Sequence, residues 1–289
     1  MAAAGTRLAN IQTISSKGLQ SEVDLLAVEE PLEIRLGYSV NGKRVVRTVS
    51  ITMRTPGHDL ELAAGFLFSE ALIQRSSQIS SIRNCGPVSS GSGQSNVVRV
   101  DLTTDTVIDF QRLERHFYTS SSCGVCGKTS LDAVLTTTNA APLTEDWLVS
   151  RDIIHALPEA LRNSQSVFDQ TGGLHASAIF DSSGALISVR EDVGRHNALD
   201  KLIGAELMEK SLTLSASILL VSGRASFELV QKAVMARMPI MAAVGAPSSL
   251  AVELAQRFNI TLLGFVRESR FNIYSAPERI AGTAAIDLS

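Results

Sequence analysis

The second half of the chain alternates apolar strand segments with helical segments, and this alternation limits the possible folds more than any other feature. A hairpin is predicted over 174–189, followed by strands over 217–221, 240–244 and 261–266 and by helices from about residue 196 and over 227–235 and 248–258. The later strand segments are continuous apolar runs, which is typical of strands covered on both faces. The sequence therefore predicts a three-layer α/β/α domain at residues 131–289.

The first third of the chain predicts a small N-terminal α+β domain at residues 29–118. Alternating apolar residues on both sides of Asn41-Gly42 indicate a β-hairpin. Thr55 and Pro56 are of the residue types preferred at an N-cap and a first helical position, so we expect a helix to begin there. Two further strands are predicted over 79–83 and 96–102. The whole chain is then an α/β protein, α+β overall.

Two segments lie outside these regular patterns. Residues 1–28 are polar and aperiodic, which predicts a loose N-terminal tail. Residues 146–161 have a helical pattern that contains Pro158, and we expect the helix to be interrupted there.

Composition excludes several classes of protein. With 289 residues and 45% hydrophobic content, the chain can bury a full core and is expected to divide into two domains. A net charge of −3 and a pI near 6.0 argue against a general nucleic-acid binder, which needs a basic face. No apolar run approaches the length of a membrane span and no secretory signal is recognisable, so we expect a soluble, cytoplasmic protein.

Cys123 and Cys126 form a C-x-x-C pair in a segment, residues 119–130, that is rich in serine, threonine and glycine. Such residues favour an accessible, mobile loop over a packed element. Lys128 and a helix beginning just after it would favour the thiolate form of the cysteines. The pair is therefore predicted to be reactive.

Four chemistries compete for this pair. A structural disulfide is disfavoured in a cytoplasmic protein, and a structural zinc site would need two further ligands that the sequence does not supply at the usual spacing. A thioredoxin-like redox pair should follow a strand and open a helix, whereas the preceding serines indicate a loop. The fourth chemistry is that of a carrier, in which one thiolate accepts a sulfur atom as a persulfide and passes it on.

Three predicted strand-to-helix turns share a chemistry suited to anions. Glycine and arginine occur together at Gly194-Arg195 and at Gly223-Arg224, and a third turn covers 245–249. Turns of this kind gather at the carboxyl edge of a parallel sheet, where ligands bind. Glycine allows close backbone approach, and arginine with a helix N-terminus favours phosphate. Ordinary turn geometry explains any one of the three turns, but together they favour a ligand that carries phosphate.

A further binding segment is predicted just past the last long strand, where two arginines lie between two phenylalanines. An aromatic ring can stack on a nucleobase and a guanidinium can pair with phosphate, although a solvated strand end with core phenylalanines would have the same pattern. The segment consists of Phe265, Val266, Arg267, Glu268, Ser269, Arg270 and Phe271.

Several other residues have simpler explanations. His175 and His196 are more often structural than catalytic, and Glu191-Asp192 is expected to cap the adjoining helix. Cys85, beside Gly86-Pro87, is expected to be a small core or turn residue.

Taken together, these motifs resemble those of the formate dehydrogenase accessory sulfurtransferases of the FdhD type. The resemblance covers about residues 29–280, in the expected order and spacing. It rests on the sequences S-C-G-V-C-G at 122–127, G-G-L-H-A at 172–176, E-D-V-G-R-H-N-A-L-D-K at 191–201 and S-G-R-A-S-F-E-L-V-Q-K at 222–232.

The resemblance implies a function that agrees with the carrier interpretation. Members of that family take sulfur from a cysteine desulfurase as a persulfide and pass it to the molybdenum cofactor of formate dehydrogenase. Cys123 would bear the persulfide, with Cys126 as its partner. The bound substrate would be molybdenum bis(molybdopterin guanine dinucleotide), with GDP or GTP as a partial mimic, held by residues 265–270. No metal ligated by the protein itself is expected.

The resemblance also implies an architecture. The second domain would have a cytidine-deaminase-like fold, and the protein would be a homodimer. A zinc deaminase needs H-x-E or C-x-E followed by P-C-x-x-C, whereas here His175-Ala176-Ser177 lacks the glutamate and the cysteine pair comes earlier in the chain. One departure from the family is Ser269, where a small flexible residue, often glycine, is expected, so nucleotide binding there is in question.

We therefore expect a persulfide carrier whose substrate is anchored by Gly194, Arg195, Gly223, Arg224, Phe265 and Arg270. Two alternatives stay open from the sequence alone. One is a non-catalytic chaperone of the cofactor, for which both cysteines are dispensable. The other is a thiol-disulfide oxidoreductase, which forms a reversible disulfide between Cys123 and Cys126 and takes up no sulfur.

Overall fold

The fold is described from a computed structural model. It describes residues 5–89, 93–106, 108, 142–144, 147–209 and 214–283. The predicted loop at 119–130, with Cys123 and Cys126, and the predicted domain boundary between 118 and 131 lie outside these residues. Within them the chain forms twelve β-strands in three sheets together with six α-helices, which confirms the predicted mixed α/β class. None of these helices is both long and apolar enough to span a membrane.

The largest sheet has six strands in the order β12-β11-β10-β9-β7-β8. Its central strands β9, β10 and β11 are parallel, while β7 is antiparallel to both of its neighbours and β12 is antiparallel to β11. The six strands are β7 (His175–Asp181), β8 (Leu186–Asp192), β9 (Ser217–Val221), β10 (Ile240–Ala243), β11 (Thr261–Gly264) and β12 (Asn272–Ser275).

Both faces of this sheet are covered, as the continuous apolar strands predict. In β9, Ile218 and Leu220 belong to one hydrophobic cluster, and Leu219 and Val221 belong to the other. Five helices belong to this part of the chain: α2 (Arg151–Arg162), α3 (Ser166–Thr171), α4 (Arg195–Met208), α5 (Phe227–Met235) and α6 (Ser249–Arg257). The cluster that contains Ile218 and Leu220 includes apolar residues of α2. The cluster that contains Leu219 and Val221 includes residues of α4, α5 and α6.

A second sheet of four strands packs against the first helix of the chain. Its order is β4-β3-β6-β5, and the predicted turn at Asn41-Gly42 joins β3 to β4 with positive φ at both residues. Buried side chains on the inner face of this sheet belong to the same hydrophobic cluster as residues of α4 and α5, so the two sheets share one hydrophobic core. The elements are β3 (Glu30–Val40), β4 (Lys43–Arg54), α1 (Asp59–Ser69), β5 (Ile79–Asn84) and β6 (Val97–Leu102).

Three predictions about local structure are wrong. Residues 1–28 were predicted as a loose tail, but β1 (Thr6–Ser15) and β2 (Gly18–Ala27) form an antiparallel hairpin with a continuous ten-pair register. The prediction missed the turn before Gly18, which has a positive φ, and the cross-strand pairs on either side of that turn.

The other two corrections concern helices. Helix α1 begins at Asp59 and not at Pro56, because the Thr55 N–H donates to the Asp192 carboxylate and the Thr55 hydroxyl accepts the N–H of Val193. Helix α2 continues through Pro158 without interruption. Its Ile154, Leu157 and Leu161 are buried, and this packing offsets the roughly 3 kcal/mol that an internal proline costs.

Helices α1 and α4 cross at a pair of glycines. A Cβ atom on Gly65 would lie 1.8 Å from the carbonyl oxygen of Asp200, and one on Gly204 would lie 1.8 Å from the carbonyl oxygen of Glu61. Backbone atoms occupy both positions, so no side-chain movement can make room. Beside the crossing, the Glu61 carboxylate pairs with Arg190 of β8 through two hydrogen bonds of 2.5 and 2.9 Å. This crossing joins the small sheet to the large one.

We expect Gly204→Ala to lower the free energy of unfolding by about 3 kcal/mol or more, because the added methyl forces the two helices apart. Urea denaturation followed by circular dichroism measures this change. The matched control is Gly173→Ala, where a Cβ atom would meet nothing closer than Ala27, at an ordinary 3.7 Å, and we expect a change within about 0.5 kcal/mol. Equal stabilities of the two variants would contradict the close crossing.

Candidate functional site

The turns after β9, β10 and β11 are joined by backbone hydrogen bonds into one continuous edge. The Gly245 N–H donates to the carbonyl of Gly223 at 2.9 Å, and the Phe265 N–H donates to the carbonyl of Gly245 at 3.0 Å. Strand β8 runs in the same direction as β9, because both are antiparallel to β7. The turn at Gly194-Arg195 therefore opens on the same side, and we call this side the carboxyl edge.

Two side chains converge above Gly223 at this edge. A Cβ atom on Gly223 would lie 3.5 Å from His175 Nδ1 and 3.8 Å from Arg195 Cδ. Arg195 Nε is buried and has no hydrogen-bond partner among the described residues. A buried guanidinium nitrogen without an acceptor favours an incoming anion.

The glycine after β10 is required by close packing. A Cβ atom on Gly245 would lie 3.0 Å from the Arg224 backbone nitrogen and from its Cα. The turn at 223–225 therefore rests directly on the backbone of the turn at 245–247, and Ala225 and Ala246 are linked by a further backbone hydrogen bond of 3.1 Å. The Arg224 side chain itself is exposed.

A buried carboxylate, Asp192, holds the Gly194-Arg195 turn. Its Oδ1 accepts the Gly194 N–H at 2.8 Å and the Asn197 side-chain amide at 3.1 Å, and its Oδ2 lies 2.7 Å from the Lys201 ammonium. Asp192 and Lys201 are both fully buried. Because charges this deep are tolerated only when they are paired and hydrogen-bonded, this pair fixes the position of the turn.

The residues around Asp192 correct the predicted capping role of Glu191-Asp192. The Glu191 carboxylate accepts the backbone N–H groups of Val167 and Phe168, at the start of α3, and not those of the adjoining α4. Asp192 binds the residue before α4, but its main partner is Lys201. The role of Glu191 is not visible in the local sequence, because it depends on a segment more than twenty residues earlier in the chain.

Two histidines lie beside Arg195, and their pKa values are lowered. Burial, followed by the charge of Arg195, lowers the pKa of His175. Burial, together with the charges of Lys232 and Arg195, lowers the pKa of His196 to about 4, although Glu228 acts in the opposite direction. Both imidazoles are therefore neutral at pH 7, and each can accept or donate a hydrogen bond.

His196 is not part of a serine-histidine-acid relay. Its Nε2 lies 3.3 Å from the hydroxyl of Ser226 and 3.9 Å from the carboxylate of Glu228. In such a relay the serine and the acid contact opposite ring nitrogens, whereas here both contact the same one. The geometry therefore does not suit a serine nucleophile.

The predicted nucleotide segment continues the carboxyl edge. Phe265 has a φ of +54°, a left-handed conformation that a bulky residue rarely adopts. Val266 is fully buried, whereas the next four residues are exposed. The Arg267 guanidinium donates to the carbonyls of Val244 and Val266, both at 2.8 Å, so it stabilises the strand ends.

The exposed part of this segment forms a tight turn. The Arg267 N–H donates to the carbonyl of Arg270 at 2.9 Å, which places Glu268 and Ser269 at the tip. His155 of α2 lies under the turn, with Nδ1 2.9 Å from the Arg267 carbonyl oxygen and its ring 5.1 Å from that of Phe271. The φ of Ser269 is not positive, so the turn forms here without a glycine conformation.

The structure thus brings the predicted binding residues to one edge. Sequence reasoning missed the anchoring role of Asp192 and Lys201 and gave His175 no binding role. The available signal was the presence of charged residues, including Lys201, in the predicted helix after Gly194, because a lysine that is buried needs a charged or hydrogen-bonding partner. Cys85 lies in the turn after β5, where its N–H donates to the Val97 carbonyl. The predicted binding residues that meet at this edge are Gly194, Arg195, Gly223, Arg224, Phe265, Val266, Arg267, Glu268, Ser269 and Arg270.

We expect His196 to destabilise the protein as the pH falls. Its folded-state pKa of about 4 lies below the ordinary 6.5. As the pH falls, His196 is therefore protonated in the unfolded chain before it is protonated in the folded protein, and stability is lost from about pH 6.5 down through pH 4. Relative to the wild type, His196→Gln should therefore gain stability between pH 7 and pH 4. Urea denaturation at the two pH values measures this, and a constant difference between the proteins would contradict it.

The chain is similar to known proteins over nearly its whole length. The family model described as the FdhD/NarQ family matches residues 27–281. The chain is 51% identical to the sulfur carrier protein FdhD of Streptomyces coelicolor, over 94% of this chain and 95% of that protein. It is 44% identical to the protein of the same name from Sulfolobus acidocaldarius, over 90% of this chain and 92% of the relative.

A solved structure has the same fold. It is the crystal structure of a Desulfotalea psychrophila protein described as a formate dehydrogenase accessory protein, with a TM-score of 0.71 and 27% identity. The match covers 95% of this chain and 99% of that one. Since both the family model and the relatives span nearly the whole chain, this protein belongs to the FdhD/NarQ family.

Proposed function

We propose that this protein is a sulfurtransferase that carries sulfur for the maturation of formate dehydrogenase. In this proposal Cys123 accepts sulfur from a cysteine desulfurase as a persulfide and passes it to the molybdenum cofactor in its guanine dinucleotide form. The sulfur-carrier role is supported by the names of the relatives and by the C-x-x-C pair. The observation that carries the cofactor part is the continuous carboxyl edge, at which Arg195 presents a buried nitrogen that has no acceptor within the described part of the chain.

The loading step is a thiol exchange without net oxidation. The Cys123 thiolate attacks the outer sulfur of the donor's persulfide, a new S–S bond forms on Cys123, and the bond between the two donor sulfurs breaks. The donor cysteine leaves as a thiolate, and the proton of the outer sulfur stays on the transferred atom. Cys126 lies close enough along the chain to stabilise the product or to release its sulfur by forming a disulfide with Cys123.

The carboxyl edge has the chemistry to hold a guanine dinucleotide. Arg195 and the exposed Arg270 supply guanidinium groups for phosphate, and Gly223, beside His175 and Arg195, allows the backbone to approach a ligand closely. The strained Phe265 fixes the start of the exposed turn where a base would stack. Bound substrate gives proximity and orientation, while the cysteine supplies the reactive sulfur.

We expect Cys123→Ala to abolish sulfur loading. After incubation with a cysteine desulfurase and cysteine, intact-mass spectrometry of the wild type should show one added sulfur that a reductant removes, and peptide mapping should place it on Cys123. The matched control is Cys85→Ala, which should load normally because Cys85 lies in a turn bonded to β6. Normal loading of the Cys123→Ala variant would reject the assignment, and a Cys123–Cys126 disulfide without added sulfur would indicate an oxidoreductase.

We expect Arg195→Gln to weaken GDP binding by about tenfold or more, because a charge-assisted hydrogen bond to phosphate is lost. Isothermal titration calorimetry measures the affinity, and urea denaturation checks that the fold is intact. Arg257→Gln is the control, since it removes the same charge from an exposed position at the end of α6. Equal losses in both variants would show that only the net charge matters.

A further inference from the structure

The outer face of the four-stranded sheet carries a row of arginines. The register places Arg99 of β6 directly opposite Arg83 of β5 on one side and directly opposite Arg35 of β3 on the other. Directly opposed residues point to the same face of a sheet. The alternate residues, such as Leu36 and Val100, point to the other face and pack into the core. The three arginine side chains are therefore left 28% to 49% exposed, and we call this surface the arginine face.

Asp101, a buried carboxylate, holds most of these arginines in fixed positions. Its Oδ1 lies 2.8 Å from Arg99 Nη2, and its Oδ2 lies 3.0 Å from Arg83 Nη1. Its Oδ1 also lies 3.3 Å from Nη2 of Arg44, which extends the row onto β4. To reach Arg44, the Asp101 side chain crosses β3 above Gly37, where a Cβ atom would lie 2.0 Å from Oδ1. The guanidinium groups are thus ordered before any partner binds, which lowers the entropic cost of binding.

The carboxylates on the arginine face do not balance its positive charge. Arg35 pairs with Glu33 at 2.7 Å, while the other three arginines share the single carboxylate of Asp101. Four guanidinium groups thus meet two carboxylates, and the face keeps an excess of positive charge on a chain whose net charge is −3. Because like charges directly opposite each other destabilise a sheet, this row favours a ligand that brings negative charge of its own.

The shape of the arginine face favours a protein over a small anion. Neighbouring strands lie about 4.8 Å apart, so the row from β5 to β4 is about 14 Å long, far more than one phosphate group covers. Val46, Ile51 and Met53 of β4 are exposed beside the row, and their register places them on the same face as Arg35. Protein interfaces combine arginine with apolar side chains in this way, whereas contacts to a nucleic acid are mainly with its phosphates.

We propose that the arginine face docks an acidic segment of the protein that supplies the persulfide to Cys123. Carboxylates of that segment pair with the guanidinium groups, and an apolar side chain beside them packs on Val46 and Ile51. The identity of this partner as the sulfur donor rests on the proposed function, whereas its acidic chemistry rests on the arginine face alone.

The position of the arginine face favours the sulfur donor over the client, formate dehydrogenase. Strand β6, which carries Arg99 and Asp101, is the last strand before Cys123 in the described part of the chain. The carboxyl edge, where the proposed function places the cofactor, belongs instead to the six-stranded sheet. Donor and cofactor then occupy surfaces of different sheets, so the carrier can be loaded while it holds its substrate.

The first test is the affinity of the full chain for cysteine desulfurase, measured by biolayer interferometry at low and at high salt. We expect Arg35→Gln/Arg83→Gln to bind about 30-fold more weakly at low salt, because two charge-assisted pairs are lost. Salt should weaken binding of the wild type more than that of the double variant. The matched control is Arg151→Gln/Arg257→Gln, which removes the same charge from exposed positions outside the arginine face and should bind like the wild type.

A second variant separates lost charge from lost folding. Arg35→Lys/Arg83→Lys keeps both positive charges, so it should recover most of the affinity that the glutamine variant loses. Urea denaturation checks that all variants are folded. A glutamine variant that is folded and binds the desulfurase as tightly as the wild type would overturn the docking proposal. Lost affinity for formate dehydrogenase with unchanged affinity for the desulfurase would overturn it too, and would assign the arginine face to the client.

Sulfur loading distinguishes a failure of this proposal from a failure of the proposed function. We expect Arg35→Gln/Arg83→Gln to need more desulfurase for half-maximal loading but to reach the wild-type extent when the donor is saturating. Its affinity for GDP should not change, because the carboxyl edge lies on the other sheet. A wild type that takes up no sulfur would reject the proposed function, while the binding measurement would still decide whether the arginine face docks the desulfurase.

Discussion

The ion pair between Asp192 and Lys201 is the interaction on which the site depends. The carboxylate accepts hydrogen bonds from Thr55, Gly194 and Asn197, while the ammonium donates to the backbone carbonyls of Thr55 and Glu191. Leaving one member of such a pair without the other costs about 3–5 kcal/mol. The pair links β8, the start of α4 and the segment after β4, and so Arg195 is held by the core and not by its own loop.

A second buried pair, Asp200 and Lys232, serves the helices that carry the edge. The ammonium lies 2.7 Å from the carboxylate, and the Ser69 hydroxyl donates to the same carboxylate at 2.8 Å. These contacts tie α1, α4 and α5 together next to the glycine crossing of α1 and α4. Because the crossing leaves no room for side chains, contact between the two backbones sets the distance between α1 and α4. The buried charges of Asp200 and Lys232 then specify how the helices are aligned along each other.

The sequence predicts the elements of this fold much better than their anchoring. The strand at 217–221 and the helix at 227–235 agree with the structure to the residue, because long apolar runs and helical periodicity are local signals. The start of α1 was misplaced because Thr55 serves a carboxylate that lies far along the chain. The gathering of the turns at the carboxyl edge was predictable from parallel topology, whereas the partners of Asp192 and Lys201 depend on tertiary contacts that periodicity does not contain.

The hairpin of β1 and β2 and the carboxyl edge meet at one segment of the chain. Gly5 lies beside Thr55 at the base of the hairpin, and the Thr55 N–H donates to Asp192, which in turn fixes the Gly194-Arg195 turn. Asp192 accepts three hydrogen bonds and pairs with Lys201 in a fully buried position. Because a buried charge that lost these partners would be costly, this network favours a single arrangement of the segment. The segment is therefore built as a rigid support for the site.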